Sequence, residues 1–84
     1  MAKVTLYSSR FCPYCIHARR LLEAKGIAYD DLRIDQDPDL QIQLESKSQR
    51  RSVPQIFIGD YHVGGFEELC QLDKSGKLDA LLQD

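Results

Sequence analysis

The chain has no excess of positive charge: 11 Lys and Arg stand against 13 Asp and Glu, a formal net charge of -2. No Lys/Arg stripe alternates with aromatics either, so the electrostatic footprint of a nucleic-acid binder is missing. Long apolar runs are absent, and none approaches the roughly 18 to 20 residues that span a bilayer. Cysteine is scarce and odd in number, with only Cys12, Cys15 and Cys70. That excludes the paired framework of a small secreted domain. Beyond the first two cysteines, the only soft metal ligands are Cys70, His17 and His62, and no second Cys-x-x-Cys exists. Structural zinc needs four ligands and is not expected. Cys15-Ile16-His17 misses the haem-attachment spacing by one residue, which excludes haem. Repeats, linkers and low-complexity tracts are also lacking. Met1-Ala2-Lys3-Val4 runs straight into a strand pattern, so no signal peptide is expected and the expected location is cytoplasmic.

What is present is ordinary globular material. The 84 residues are 43% hydrophobic and 29% charged, which predicts a single domain over 1–84 with one modest core. Lys3 to Tyr7 reads as a first strand. Cys12-Pro13 opens a helix whose apolar residues are Cys15, Ala18, Leu21 and Leu22, and Gly26 ends it. Ala28 to Ile34 reads as a second strand, with Tyr29, Leu32 and Ile34 apolar. Asp37-Pro38 caps a second helix running to about Lys47, with Leu40, Ile42 and Leu44 as its apolar residues. Pro54 to Ile58 and Tyr61 to Val63 form a hairpin around Gly59-Asp60. Gly64-Gly65 break the last strand, and helices follow over 66–72 and 78–82. The order β-α-β-α-β-β-α predicts a mixed four-stranded α/β sheet with helices on both faces.

Cys12-Pro13-Tyr14-Cys15 carries the chemistry. Its place matters more than the spacing. Cys12 falls at the cap of a helix N-terminus, where a partial positive charge and unpaired N–H groups favour a thiolate, the nucleophilic form of cysteine. Arg10 lies two residues upstream. Cys15 sits one turn further on, shielded, within reach of a small disulfide with Cys12. The competing reading, two buried structural cysteines, fits poorly with the cap position and with Pro13. The N-terminus of the helix after Gly64-Gly65 is a second feature of the same kind, a ready site for an anion.

Three segments together resemble the glutaredoxins, in particular the short bacterial ones. They are Phe11-Cys12-Pro13-Tyr14-Cys15, Arg50-Arg51-Ser52-Val53-Pro54-Gln55-Ile56-Phe57-Ile58, and Gly64-Gly65-Phe66-Glu67-Glu68-Leu69. The resemblance covers essentially the whole chain. It implies a thioredoxin-like fold with strand order 2-1-3-4 and a cis Pro54 beside the nucleophilic sulfur. It also implies that Cys12 and Cys15 are the catalytic pair and that glutathione is the co-substrate, with no permanently bound cofactor. Val53 would pair its backbone with the cysteinyl part of glutathione. Gly65 would let the backbone come close, and the N–H groups of Phe66 and Glu67 would receive the γ-glutamyl carboxylate. The Glu67 side chain would take the amino group, standing where the family has Asp. Arg10, Arg50 or Arg51 would pair with the glycyl carboxylate, and Tyr14 would cover one side of the groove. Gln49 stands where the family commonly has glycine. The implied partners of this monomer are glutathionylated or disulfide-containing proteins, ribonucleotide reductase being one target the family allows. Two other readings stay open at this stage. One is a redoxin coupled to thioredoxin reductase. The other is an iron–sulfur scaffold dimer, which Pro13 disfavours by stiffening the site.

Overall fold

Successive side chains of a strand point to opposite faces, so the first strand has to serve two cores. Val4 and Leu6 enter one apolar cluster and Tyr7 enters another. The computed structural model describes residues 3–82, in the order β1 (Val4–Ser8), α1 (Pro13–Ala24), β2 (Asp30–Arg33), α2 (Pro38–Ser48), β3 (Gln55–Ile58), β4 (Tyr61–Gly64), α3 (Phe66–Lys74) and α4 (Lys77–Leu82). Met1 and Ala2, on which the reading of the N-terminus leans, lie outside the described residues. The strands pair in the order β2-β1-β3-β4. β1 runs parallel to β2 and antiparallel to β3, and β3 runs antiparallel to β4. This is the expected thioredoxin-like architecture.

The larger core joins Val4, Leu6, Ile56, Ile58 and Val63 of the sheet to Ala18 and Leu22 of α1, Leu69 of α3 and Leu78 of α4. The smaller one, on the opposite face, joins Tyr7 and Phe57 to Leu44 of α2. Tyr7 and Phe57 meet edge to face at 5.7 Å, a favoured aromatic geometry. Two sequence expectations need correction here. β2 is shorter than the segment from Ala28 to Ile34, because its only partner, β1, supplies pairing residues from Thr5 to Ser8. One further bond, from the Ile34 N–H to the Ser8 carbonyl at 2.9 Å, extends the ladder past its end. Ile42 is not a core residue of α2 and is 64% exposed. It lies two residues from both Leu40 and Leu44, more than half a turn away from the face that meets the sheet.

The ends of the elements follow local rules. Asp37 caps α2 by accepting from the Asp39 N–H at 3.0 Å, with Pro38 in the first turn. Gln49 closes the same helix in the left-handed region at φ 59°, so a residue with a β-carbon takes the conformation glycine would supply. Among the described residues, no helix is long and apolar enough to cross a membrane.

Candidate active site

The β1–α1 junction places the two sulfurs in unlike surroundings. Cys12 is the N-cap of α1 with extended backbone angles, and Pro13 begins the helix. The Cys12 Sγ accepts the Cys15 N–H at 3.3 Å, taking up one of the donors that a helix start leaves unpaired. Cys12 is half-buried, whereas Cys15 faces the core and is fully buried. Burial first, and hydrogen bonding to Cys12 next, push the Cys15 thiol up to about 12. The outer sulfur is thus the accessible one, held by a main-chain donor, and the inner one is a protonated thiol in reserve.

The second motif lies against this sulfur. The Val53–Pro54 peptide is cis, Pro54 is buried, and the Cys12 thiol donates to the Val53 carbonyl at 3.7 Å. The third motif closes the other side. Gly65 is the N-cap of α3 and brings no side chain of its own, and the Glu68 carboxylate folds back over Gly64 and Gly65 at the helix start. Between these elements runs a groove of about 240 Å³, lined by Tyr14, Arg50, Val53, Pro54, Gly65, Phe66 and Glu67, with Ser52, Gln55 and Glu68. Tyr14 packs against Phe66 at 6.4 Å between ring centres, so the two rings form one wall.

The three candidate arginines part company. Arg50 lines the groove and donates to Glu68 at 3.2 Å. Arg51 turns the other way to pair with Glu45 of α2 at 3.1 Å, with 85% of its side chain exposed. Arg10 lies over the Phe11 ring at 5.3 Å and is not part of the groove lining.

Ser52, Gln55 and Glu68 also line the groove, although the sequence reading did not place them in the site. Glu68 had a legible signal: it stands three residues after the cap Gly65, the spacing of a capping box. Hydrogen bonding to the main chain at its own N–H first, and the Arg50 guanidinium next, hold its carboxyl below the usual range. Gln55 had no such signal. It is buried, its amide oxygen accepts from His62 Nε2 at 2.7 Å, and its amide nitrogen donates to Ser52 at 3.4 Å. His62 stacks on Phe57 at 4.8 Å, which ties the groove floor to the sheet. Among the described residues, no group of three or more His, Cys, Asp or Glu is placed to hold a metal ion.

The glutaredoxin family model matches residues 4–63. The chain belongs to the glutaredoxin family. A glutaredoxin of Neisseria meningitidis is 49% identical over 83 residues, covering 98% of both chains. Glutaredoxin 3 of Escherichia coli is 42% identical over 83 residues, covering 99% of this chain and all of the other. Among solved structures, a buckwheat glutaredoxin–glutathione complex superimposes with a TM-score of 0.88 at 29% identity, over 98% of this chain and 77% of that one. The glutaredoxin of Brucella melitensis gives 0.84 at 41% identity, over 98% and 89%. The family is one of thiol–disulfide oxidoreductases, and the half-buried cap sulfur with a buried second thiol one turn away is the candidate site for that chemistry.

Proposed function

We propose that the protein uses glutathione to reduce two kinds of disulfide. In the monothiol route the Cys12 thiolate attacks the glutathione sulfur of a mixed disulfide, and the target leaves as a thiolate that takes up a proton. A second glutathione attacks the Cys12–glutathione disulfide, regenerates Cys12 and departs as oxidised glutathione. In the dithiol route Cys12 attacks a protein disulfide and Cys15 then displaces the target, leaving a Cys12–Cys15 disulfide that two glutathione molecules reduce. On this reading the protein acts as a monomer in a reducing cytoplasm, on glutathionylated or disulfide-bonded proteins.

The observation that carries the reading is the groove itself. It starts at Val53, whose carbonyl touches the Cys12 thiol, and ends at the N-terminus of α3, where Phe66 and Glu67 stand beside the Glu68 carboxylate. An extended tripeptide thiol with a carboxylate at each end fits that layout. Its cysteinyl part lies along Val53, one carboxylate meets the helix start, and the other meets Arg50. Tyr14 and Phe66 flank it.

The test is turnover of a small glutathione mixed disulfide by wild type, Cys12→Ser and Cys15→Ser. Cys12→Ser loses all exchange. Cys15→Ser keeps glutathione mixed-disulfide turnover and loses most reduction of protein disulfides. Equal loss in both variants on the mixed disulfide would falsify the assigned roles. Turnover with thioredoxin reductase in place of glutathione would favour the other redoxin class.

A further inference from the structure

The core face of β1 ends on a polar residue. Val4 and Leu6 are followed on the same side by Ser8, which is fully buried. Its hydroxyl donates to the Asp31 carboxylate of β2 and accepts from the Arg19 guanidinium of α1 at 2.9 Å. Arg19 closes the triangle with a 2.9 Å bond from Nε to the other Asp31 oxygen. All three side chains are satisfied by one another, and the Arg19 side chain is only 20% exposed. An arrangement this well anchored holds a charge in one place. Apolar residues would close this end of the core at less desolvation cost, so packing alone does not account for it.

Cys15 lies one helical turn before the Arg19 corner of the triangle. Arg19 follows it by one helical turn, on the face shared by Cys15, Ala18 and Leu22, where residues four apart have β-carbons about 5–6 Å from each other. Cys15 has no exposure to water, so any negative charge it develops must be balanced by protein groups. Ser9, next to Ser8 at the end of β1, offers its main-chain N–H to the sulfur, and the Arg19 charge acts in the same direction. Arg33, the β2 neighbour of Ser8, is occupied by Asp35 at 3.2 Å. The cis-Pro54 segment and Phe66 bring no charge to this side. Apart from the Cys12 sulfur, which carries no charge once it is in a mixed disulfide, Arg19, paired with Asp31, is the charged group that bears on Cys15.

We propose that Arg19, pinned by Ser8 and Asp31, is a positioning residue for the resolving step, balancing the charge Cys15 develops as it attacks Cys12. This rests on the dithiol half of the function proposed above. In that step the deprotonated Cys15 sulfur forms a bond to Cys12 Sγ. The bond between Cys12 and the target sulfur breaks, and its electron pair leaves with the target, which takes up a proton from solvent. Nothing is gained or lost in electrons across the exchange. The monothiol route never forms a charge on Cys15 and does not use Arg19.

The experiment starts from protein carrying a thionitrobenzoate mixed disulfide on Cys12 and follows release of the coloured thiol against pH by stopped flow. A unit charge at this range in a partly screened site changes the rate near neutral pH by about three- to tenfold. The expected result is that Arg19→Gln slows release by that factor and displaces its pH profile upward, while Arg19→Lys restores most of the rate. Ser8→Ala, which loosens the pin and keeps the charge, gives a smaller displacement in the same direction. It decides the matter alone should Arg19→Gln not fold. In a Cys15→Ser background, adding Arg19→Gln leaves mixed-disulfide turnover within about twofold. Unchanged pH profiles in both variants overturn the proposal, as does an equal fall in both routes, which marks a purely structural role. Failure of wild type to release the thiol at all overturns the dithiol reading itself.

Discussion

Cys12 and Cys15 share one turn of helix and differ in access to water. Cys15 is pushed up to about 12 by burial, so at neutral pH almost none of it is thiolate. Iodoacetamide added to the reduced native protein at about pH 8 should therefore label Cys12, and Cys15 only after unfolding, as read by tandem mass spectrometry. Equal labelling of the two in the native state would remove the division of labour. The arginines differ in the same single-residue way. Arg50 faces the groove and Arg51 faces Glu45. Arg50→Ala is expected to weaken glutathione use by roughly tenfold, through KM more than kcat, the low end for a charge-assisted bond at an exposed site. Arg51→Ala is expected to stay within about twofold. Glutathione dependence of turnover at two ionic strengths checks both, and the Arg50 contact is the one that added salt weakens.

At the scale of elements, helix ends carry the clearest local energetics. α2 begins on a good cap and ends on a strained one. Removing the Asp37 carboxylate as Asp37→Ala leaves the Asp39 N–H without its partner and should cost about 1 kcal/mol. Gln49→Gly acts in the opposite sense. A side chain at φ 59° carries a left-handed penalty of about 1–2 kcal/mol, part of which glycine returns as extra freedom in the unfolded chain. A net gain of about 0.5–1 kcal/mol is expected. Urea denaturation midpoints for the two variants test this. A Gln49→Gly midpoint below that of wild type would show that the bond from Gln49 to the Ser46 carbonyl outweighs backbone strain. The start of α3 is arranged differently: its cap is a glycine, and Glu68 one turn in supplies the negative charge.

The whole molecule adds its buried and paired groups into one pH profile of stability. His62 is lowered from its ordinary 6.5 by burial first and the Arg50 charge second. Below that pH the unfolded chain takes up a proton that the folded one refuses, so stability falls as pH drops. Glu68 is lowered from 4.5, and the contribution of its native contacts is lost as pH falls further through its folded value. Cys15 sets the opposite limb. Between its ordinary 9.0 and about 12, the unfolded chain releases a proton that the folded chain keeps, and stability falls as pH rises. Maximum stability is expected between about pH 7 and 9. His62→Gln, which can still bond to Gln55, should flatten the slope between about pH 7 and 5. Urea midpoints across pH measure the slopes, and an unaltered acid limb in that variant would remove His62 from the account.

Much of this protein is written in short stretches of chain. Cys12-Pro13 marks a helix start, Asp37-Pro38 another and Gly59-Asp60 a hairpin, because caps, fixed proline φ and turn geometry act over a few residues. From those junctions came the candidate nucleophile and reserve thiol and the mixed four-stranded sheet, while the strand order came from the family resemblance. Which arginine meets the groove was not legible, since Arg50 and Arg51 are neighbours whose fates hang on Glu68 and Glu45 in separate helices. Nor was the Ser8–Arg19–Asp31 triangle, whose members lie on three different elements and far apart in the chain. Parallel pairing of β1 with β2, and the docking of α1 across them, bring those three together. Long-range contacts of this kind depend on register and on the packing of whole elements, so only the folded chain decides which charges meet.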